Sequence, residues 1–331
     1  MSSGPWSEQE WHRVNAQAAA VALAAPTEKA QRARIVLFAR RVLHTYSSSF
    51  FTVTRFLPRA HREQVEILYA NVRYPDEVVD TLPLSPARKQ ETLDAWERWY
   101  ERGLEAPSLD AALRAGVPAF LAAFTAWVRR SQVPPDYYRS FMEAMRLDVC
   151  PRVFADLEDL IASYVYGSAI VVGYLLTYIF GASAPGKFPD ALESARQLGI
   201  ALQLTNFARD VGEDLKRGRC YVPRDILAAE GIPDADRIGP PHHPALRRAV
   251  LRLCSEAEAH YAAAAAGVEA FSPETRSAIE ACIRVYRLLN DRVTASDDSL
   301  ERRVSVPLLE KLRPLPPSKY WRIPWAYLTG R

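Results

Sequence analysis

The chain has 331 residues, 49% of them hydrophobic and 24% charged, with a formal net charge of +3. That composition suits a globular protein with room for a large core, and so slight a charge argues against nucleic acid as a partner. Cys150, Cys220, Cys254 and Cys282 form no CxxC pair and have no histidine at ligand spacing, so neither a zinc site nor a disulfide framework is expected.

The opening MSSGPWSEQEW lacks the basic start and apolar run of a secretion signal, which points to the cytoplasm, and residues 1–28 read as a loose segment. From there helical periodicity dominates. The stretch 30–46 sets Ile35, Leu37, Phe38, Val42 and Leu43 among arginines, and 61–73, 88–102, 109–130, 192–216 and 246–270 follow the same pattern. Breaks rich in Pro, Gly and Asp fall at 82–86, 107–110, 133–136, 181–190 and 231–244. Alternating β-type runs are nearly absent. About ten helices with short connections predict a single all-α domain over 29–312.

Residues 160–186 carry no charge and exceed the ~20 residues a bilayer crossing needs. However, Tyr164, Tyr166, Tyr174 and Tyr178 are spread through the segment instead of gathering at its ends. The buried centre of a large helical protein is the preferred explanation. After a proline-rich start, the tail 313–331 is basic and aromatic. Contact with an anionic membrane surface, or a return onto the domain through Trp321 and Trp325, both remain open for it.

Two acidic clusters carry the chemistry. In LTNFARDVGEDLKRGRCYVP (204–223), a helix puts Asn206, Asp210 and Asp214 on one face a turn apart, with Gln203 extending the stripe. Stacked carboxylates repel unless a cation lies among them, and carboxylate plus amide oxygen is the ligand set of Mg²⁺. A solvated acidic face paired to Arg209, Lys216 or Arg217 is the plainer alternative. In NVRYPDEVVD (71–80), Asp76 and Asp80 repeat the spacing, with Glu77 alongside and Arg73 a turn before. Two such stripes facing one cavity would hold Mg²⁺ bridging to substrate phosphates, with arginines as direct phosphate contacts.

These motifs resemble the squalene/phytoene synthase family, the head-to-head prenyl diphosphate synthases. The likeness runs over roughly 44–312. YSSSF (46–50) is similar to the family's Ser–Phe motif, ILYANVRYPDEVVD to its first aspartate motif and YVYGSAIVVG (164–173) to its central helix. LGIALQLTNFARDVGEDLKRGRCYVP is similar to its second aspartate motif, and CIRVYRLL and ERRVSV to its C-terminal helices. The resemblance implies an all-α isoprenoid-synthase fold around a central cavity. It also implies Mg²⁺ as cofactor (Mn²⁺ as a substitute) and two prenyl diphosphates as substrates, joined through a cyclopropylcarbinyl diphosphate. Asp76, Asp80, Asp210 and Asp214 match the metal-binding aspartates, and Asn206 adds a ligand. Ser47, Ser49, Arg73, Arg209 and Arg303 match diphosphate contacts, while Tyr69, Tyr164 and Tyr286 match cavity tyrosines. Phe50, Gln203, Arg219 and Tyr221 complete the expected substrate contacts. The uncharged 160–186 segment would then wall the cavity.

Some positions depart from the family's pattern. Pro75 directly precedes Asp76 and should kink its helix. Tyr46 stands where a histidine is common. Thr54 is small where an aromatic would shorten the pocket, which favours a C20 donor and phytoene over a C15 donor and squalene-type products. Ile170, at a glycine position, argues the other way. The chain lacks the membrane anchor of the NADPH-using eukaryotic squalene synthases, so no nicotinamide is expected. A non-catalytic binding protein is the reading from another class, and the intact aspartates oppose it.

Overall fold

Short polar residues set many of the helix starts. Ser7, Thr27, Ser85 and Ser108 each stand just before a helix and accept a hydrogen bond from the amide three residues on. The structure, a computed structural model, describes residues 5–296, 298, 300–307 and 310, apart from the side chains of Ser48, Ser49 and Asp236. Among these residues there are fourteen α-helices and no strand. Contacts divide the chain into two compact units, Met1–Val149 and Cys150–Arg331.

The first unit holds α1 (Glu8–Leu23), α2 (Glu28–Tyr46), α3 (Ser48–Thr54), α4 (Arg59–Asp80), α5 (Pro86–Glu105), α6 (Leu109–Arg114), α7 (Ala119–Arg130) and α8 (Asp136–Val149). The segment expected to be loose thus carries a helix. Trp11, Val14, Ala18 and Ala22 lie on one side of α1 and are fully buried. The predicted helix 109–130 is interrupted, because Gly116 takes φ +81° and Pro118 starts α7 afresh. A buried ionic knot joins α2 to α4: Arg40 Nε donates to both Glu66 carboxylate oxygens at 3.1 Å, and Arg55 Nη2 donates to Glu66 Oε1 at 2.5 Å. Glu66 is wholly buried, so its carboxylate depends on these two arginines beside it.

Pro75 lies inside α4, yet the helix continues to Asp80. Proline has no amide hydrogen, so the Asn71 carbonyl loses its partner four residues on. The Tyr138 hydroxyl donates to that carbonyl at 2.7 Å in its place.

The second unit holds α9 (Leu157–Leu160), a π-helical run Ile161–Ile170, α10 (Val171–Phe180), α11 (Phe188–Lys216), α12 (Arg224–Ala229), α13 (His243–Ala266) and α14 (Pro273–Ala295). The stretch Leu157–Phe180 is one helix, long and apolar enough to cross a membrane. It is not buried all round, since Tyr166 is exposed. Close helix approach holds it along α11. A Cβ on Gly199 would lie 3.1 Å from the Ile170 Cα, and one on Gly173 would lie 3.0 Å from the Ala195 carbonyl oxygen. Buried polar groups tie α11 to α13 and α13 to α14: Thr205 Oγ1 and Tyr261 Oη are 2.9 Å apart, and Asn290 Nδ2 donates to the Cys254 carbonyl. The tail 313–331 lies outside the described residues.

Candidate active site

In the first unit, Tyr69, Arg73, Asp76 and Asp80 follow one another along one face of α4. Arg73 Nη1 donates to Asp76 Oδ2 at 2.5 Å, and its Nη2 donates to Glu77 Oε1. Burial works to lower the Arg73 pKa, but the negative charges of Asp76 and Glu77 outweigh it, and the guanidinium stays charged. The Glu77 side chain is wholly buried, which pushes its carboxyl above the ordinary range against the pull of Arg73. Glu77 thus anchors the arginine.

Tyr46, noted as a departure from the family's pattern, has a structural task. Arg73 lies over its ring at 4.7 Å, within cation–π range. The Trp6 amide donates to the Tyr46 hydroxyl at 2.7 Å, and the Trp11 ring stacks on Tyr46 at 5.6 Å. Burial pushes the Tyr46 phenol up to about 12. Trp6 and Trp11, which sequence reasoning passed over, therefore form the floor beneath a candidate phosphate-binding arginine. Their signal was two tryptophans in a segment otherwise poor in large apolar residues. Ser47 caps α3, accepting from the Phe50 amide at 3.2 Å, and the Phe50 ring lies 5.8 Å from Tyr69. The side chain of Ser49 is outside the described residues.

In the second unit, Gln203, Asn206 and Asp210 are half-buried on α11 and Asp214 is buried, which is not a solvated acidic face. Arg209 pairs with its neighbour Asp210. Arg303, distant in sequence, also reaches Asp210, donating from Nε to Oδ1 at 2.8 Å and from Nη2 to Oδ2 at 3.3 Å. Burial alone would raise the Asp210 pKa, but the hydrogen bonds and charges of Arg209 and then Arg303 hold it below the usual carboxylate range. Gly212 makes this reach possible. A Cβ there would lie 2.0 Å from the Leu300 carbonyl oxygen, so only glycine lets the chain before Arg303 cross α11 so closely. Tyr286 on α14 lies near enough to feel Arg209, Asp210 and Arg303, although burial is the main force raising its phenol.

An aromatic group completes this unit's set. The rings of Phe207 and Tyr221 stack at 4.3 Å, and Tyr164 lies 5.1 Å from Tyr221 and 6.0 Å from Phe207. Arg219 is buried, and its amide donates to the Asp214 carbonyl at 2.9 Å, which closes the end of α11. Thr54 and Ile170, the two residues read for pocket length, are both buried. Thr54 is fully buried, with its hydroxyl donating to the Phe51 carbonyl and accepting from Arg55. Ile170 is buried in the seam with α11.

No three acidic, histidine or cysteine side chains converge on a point among the described residues. Each acidic helix instead offers two carboxylates one turn apart, with the Asn206 amide a further turn along α11. That donor set fits Mg²⁺, which binds through one or two carboxylates and fills its shell with water and phosphate oxygens.

Comparison with known proteins agrees with this chemistry. The sequence profile of squalene/phytoene synthase matches residues 43–310. A 15-cis-phytoene synthase from Paracoccus sp. is 32% identical over 281 residues, covering 84% of this chain and 88% of its own. A presqualene diphosphate synthase from Zymomonas mobilis is 37% identical over 221 residues, 66% of this chain and 70% of its own. The crystal structure of a dehydrosqualene synthase has the same fold, with a TM-score of 0.71 and 20% identity over 98% of this chain and 99% of that one. With its two aspartate motifs, its helical fold and this match over most of its length, the chain belongs to the squalene/phytoene synthase family of prenyltransferases.

Proposed function

We propose that the chain condenses two geranylgeranyl diphosphates head to head into phytoene, through a cyclopropylcarbinyl (prephytoene) diphosphate. The observation that carries this reading is the pairing of each acidic helix with guanidinium groups, Arg73 beside Asp76 and both Arg209 and Arg303 on Asp210. Carboxylates held next to arginines make a binding set for a metal-bridged diphosphate, not a solvated surface. Similarity to phytoene synthases over about four-fifths of the chain supports the C20 substrate.

Asp76, Asp80, Asn206, Asp210 and Asp214 would hold Mg²⁺, or Mn²⁺ in its place. When bound, the metal neutralises diphosphate charge and so makes it a better leaving group. Arg73, Arg209 and Arg303 would contact diphosphate oxygens, where negative charge grows as the C–O bond breaks. The allylic cation left behind needs apolar walls with π faces, and Tyr164, Phe207 and Tyr221 supply such faces. Attack by the second substrate's double bond closes the cyclopropane with loss of one proton. A second ionisation, rearrangement and proton loss then give the C1–C1′ linked product, so each half-reaction releases one diphosphate.

A C15 substrate giving presqualene diphosphate or its products is the alternative, favoured by the 37% identity to the Zymomonas enzyme. Purified protein incubated with Mg²⁺ and either geranylgeranyl or farnesyl diphosphate, with the lipid extract analysed by mass spectrometry, decides between them. A C40 hydrocarbon is the expected product. Recovery of C30 lipid alone would end the phytoene proposal, and turnover of neither substrate would favour a binding protein.

A further inference from the structure

The first aspartate motif contains a defect that the structure repairs from outside the helix. Pro75 stands directly before Asp76, and its missing amide leaves the Asn71 carbonyl without its helical partner. Asn71 is wholly buried, so water cannot serve it at the surface. Tyr138 on α8, itself wholly buried, donates its hydroxyl to that carbonyl at 2.7 Å. The orientation of the hydroxyl is set in turn by Trp96 on α5, whose Nε1 donates to Tyr138 Oη at 2.8 Å. With its acceptor side engaged by Trp96, the phenol presents its proton to Asn71. Packing holds both donors in place: the Trp96 ring lies 4.4 Å from Tyr74, and the Tyr138 ring 4.7 Å from Tyr100.

We propose that Tyr138 is a positioning residue for the reaction. By replacing the hydrogen bond that Pro75 cannot make, it fixes the direction of the last turn of α4 and so the aim of Asp76 and Asp80 at the metal-bound diphosphate. The proposal rests on the prenyl diphosphate chemistry set out above. It explains why the helix passes through Pro75 to Asp80. Without the phenol, the stranded carbonyl would be free to tilt outward towards another donor, and the turn carrying both aspartates would swing with it. Groups that orient metal ligands from behind typically govern metal affinity by 10–100-fold.

The test uses the full chain in four forms: unchanged, Tyr138→Phe, Pro75→Ala, and both together. Two readouts apply to each. One is the Mg²⁺ concentration that half-saturates binding of inorganic diphosphate, measured by calorimetry. The other is hydrogen exchange of the amides at 76–80, which reports the turn whether or not ligand binds. Tyr138→Phe is expected to raise the half-saturating Mg²⁺ about tenfold and to speed exchange at 76–80. In the Pro75→Ala background, where the restored amide serves Asn71, the same change should move neither readout more than about twofold. Equal effects of Tyr138→Phe in both backgrounds would overturn the proposal. So would a lowered melting temperature with unchanged Mg²⁺ dependence and exchange, since that marks Tyr138 as packing only. If the unchanged protein fails to bind diphosphate with Mg²⁺, the proposed function falls, and the positioning role for the aspartates falls with it. The exchange data would then still show whether Tyr138 orders the turn.

Discussion

The two acidic helices reach the same chemistry by different routes. On α4, Asp76 meets an arginine three residues earlier on its own helix, and that arginine rests on an aromatic floor built from Tyr46, Trp6 and Trp11. On α11, Asp210 meets its neighbour Arg209 and, across the opening made by Gly212, Arg303 from far along the chain. One set is assembled locally and braced from behind. The other closes only when a distant segment lies down on it. A carboxylate paired to a guanidinium is therefore not one structural device but two, and they should fail in different ways.

The largest effects belong to the aspartates. Asp76→Ala and Asp210→Ala are each expected to lower turnover by at least about 10²–10³-fold, the usual cost of losing one transition-state contact. Circular dichroism should show unchanged helix content; collapse of folding would make the aspartates structural. Removing the brace comes next. Trp11→Ala should destabilise the protein by about 3–5 kcal/mol in denaturant unfolding, as for large aromatic truncations in a core. The loss should fall on the first unit, read as faster hydrogen exchange in α2 and α4 with the second unit unchanged.

Breaking the second route should cost less, because Arg303 is half-exposed and solvent screens its pairing. Arg303→Ala is expected to raise KM for the prenyl diphosphate about tenfold while helix content stays the same. Gly212→Ala, by pushing Leu300 off α11, should reproduce most of that effect, and the double variant should be little worse than either single one. Full additivity would separate Gly212 from the placing of Arg303.

The smallest effect is a pH dependence confined to the second unit. Burial holds the His260 imidazole below its ordinary pKa, and its Nδ1 lies 2.5 Å from Gln197 Oε1. Between that lowered value and about 6.5, the unfolded chain binds a proton that the folded chain does not. Stability therefore rises with pH across this window and is lost as the medium becomes acidic. His260→Gln should flatten the urea midpoint between about pH 5 and 7, leaving the slope from other groups unchanged.

Much of this was legible in the sequence, and the failures have physical causes. The spacing of Asp76 and Asp80, and of Asn206, Asp210 and Asp214, needs only helical periodicity, and both stretches are helical. The lack of charge in 160–186 was equally readable, but its partial exposure was not, because hydropathy does not say which face a neighbour covers. Helix α1 was missed because its buried face mixes Trp11 and Val14 with the smaller or polar Asn15, Ala18 and Ala22, a weak apolar stripe. What serves the Asn71 carbonyl beneath Pro75 was not readable either, because it is a hydroxyl 67 residues from Asn71. Arg303 was named by resemblance alone, and no local pattern announces a pairing across 93 residues. The contacts of Thr54 were hidden for a related reason: its hydroxyl donates to the Phe51 carbonyl and accepts from Arg55, which side-chain size does not announce.

The central claim is that each acidic set binds metal-bridged diphosphate. The direct measurement is Mg²⁺-dependent binding of inorganic diphosphate by calorimetry in the unchanged protein, in Asp76→Ala, in Asp210→Ala and in the double variant. The account predicts that each single change weakens binding at least about tenfold. Binding left unchanged by either single variant would contradict it.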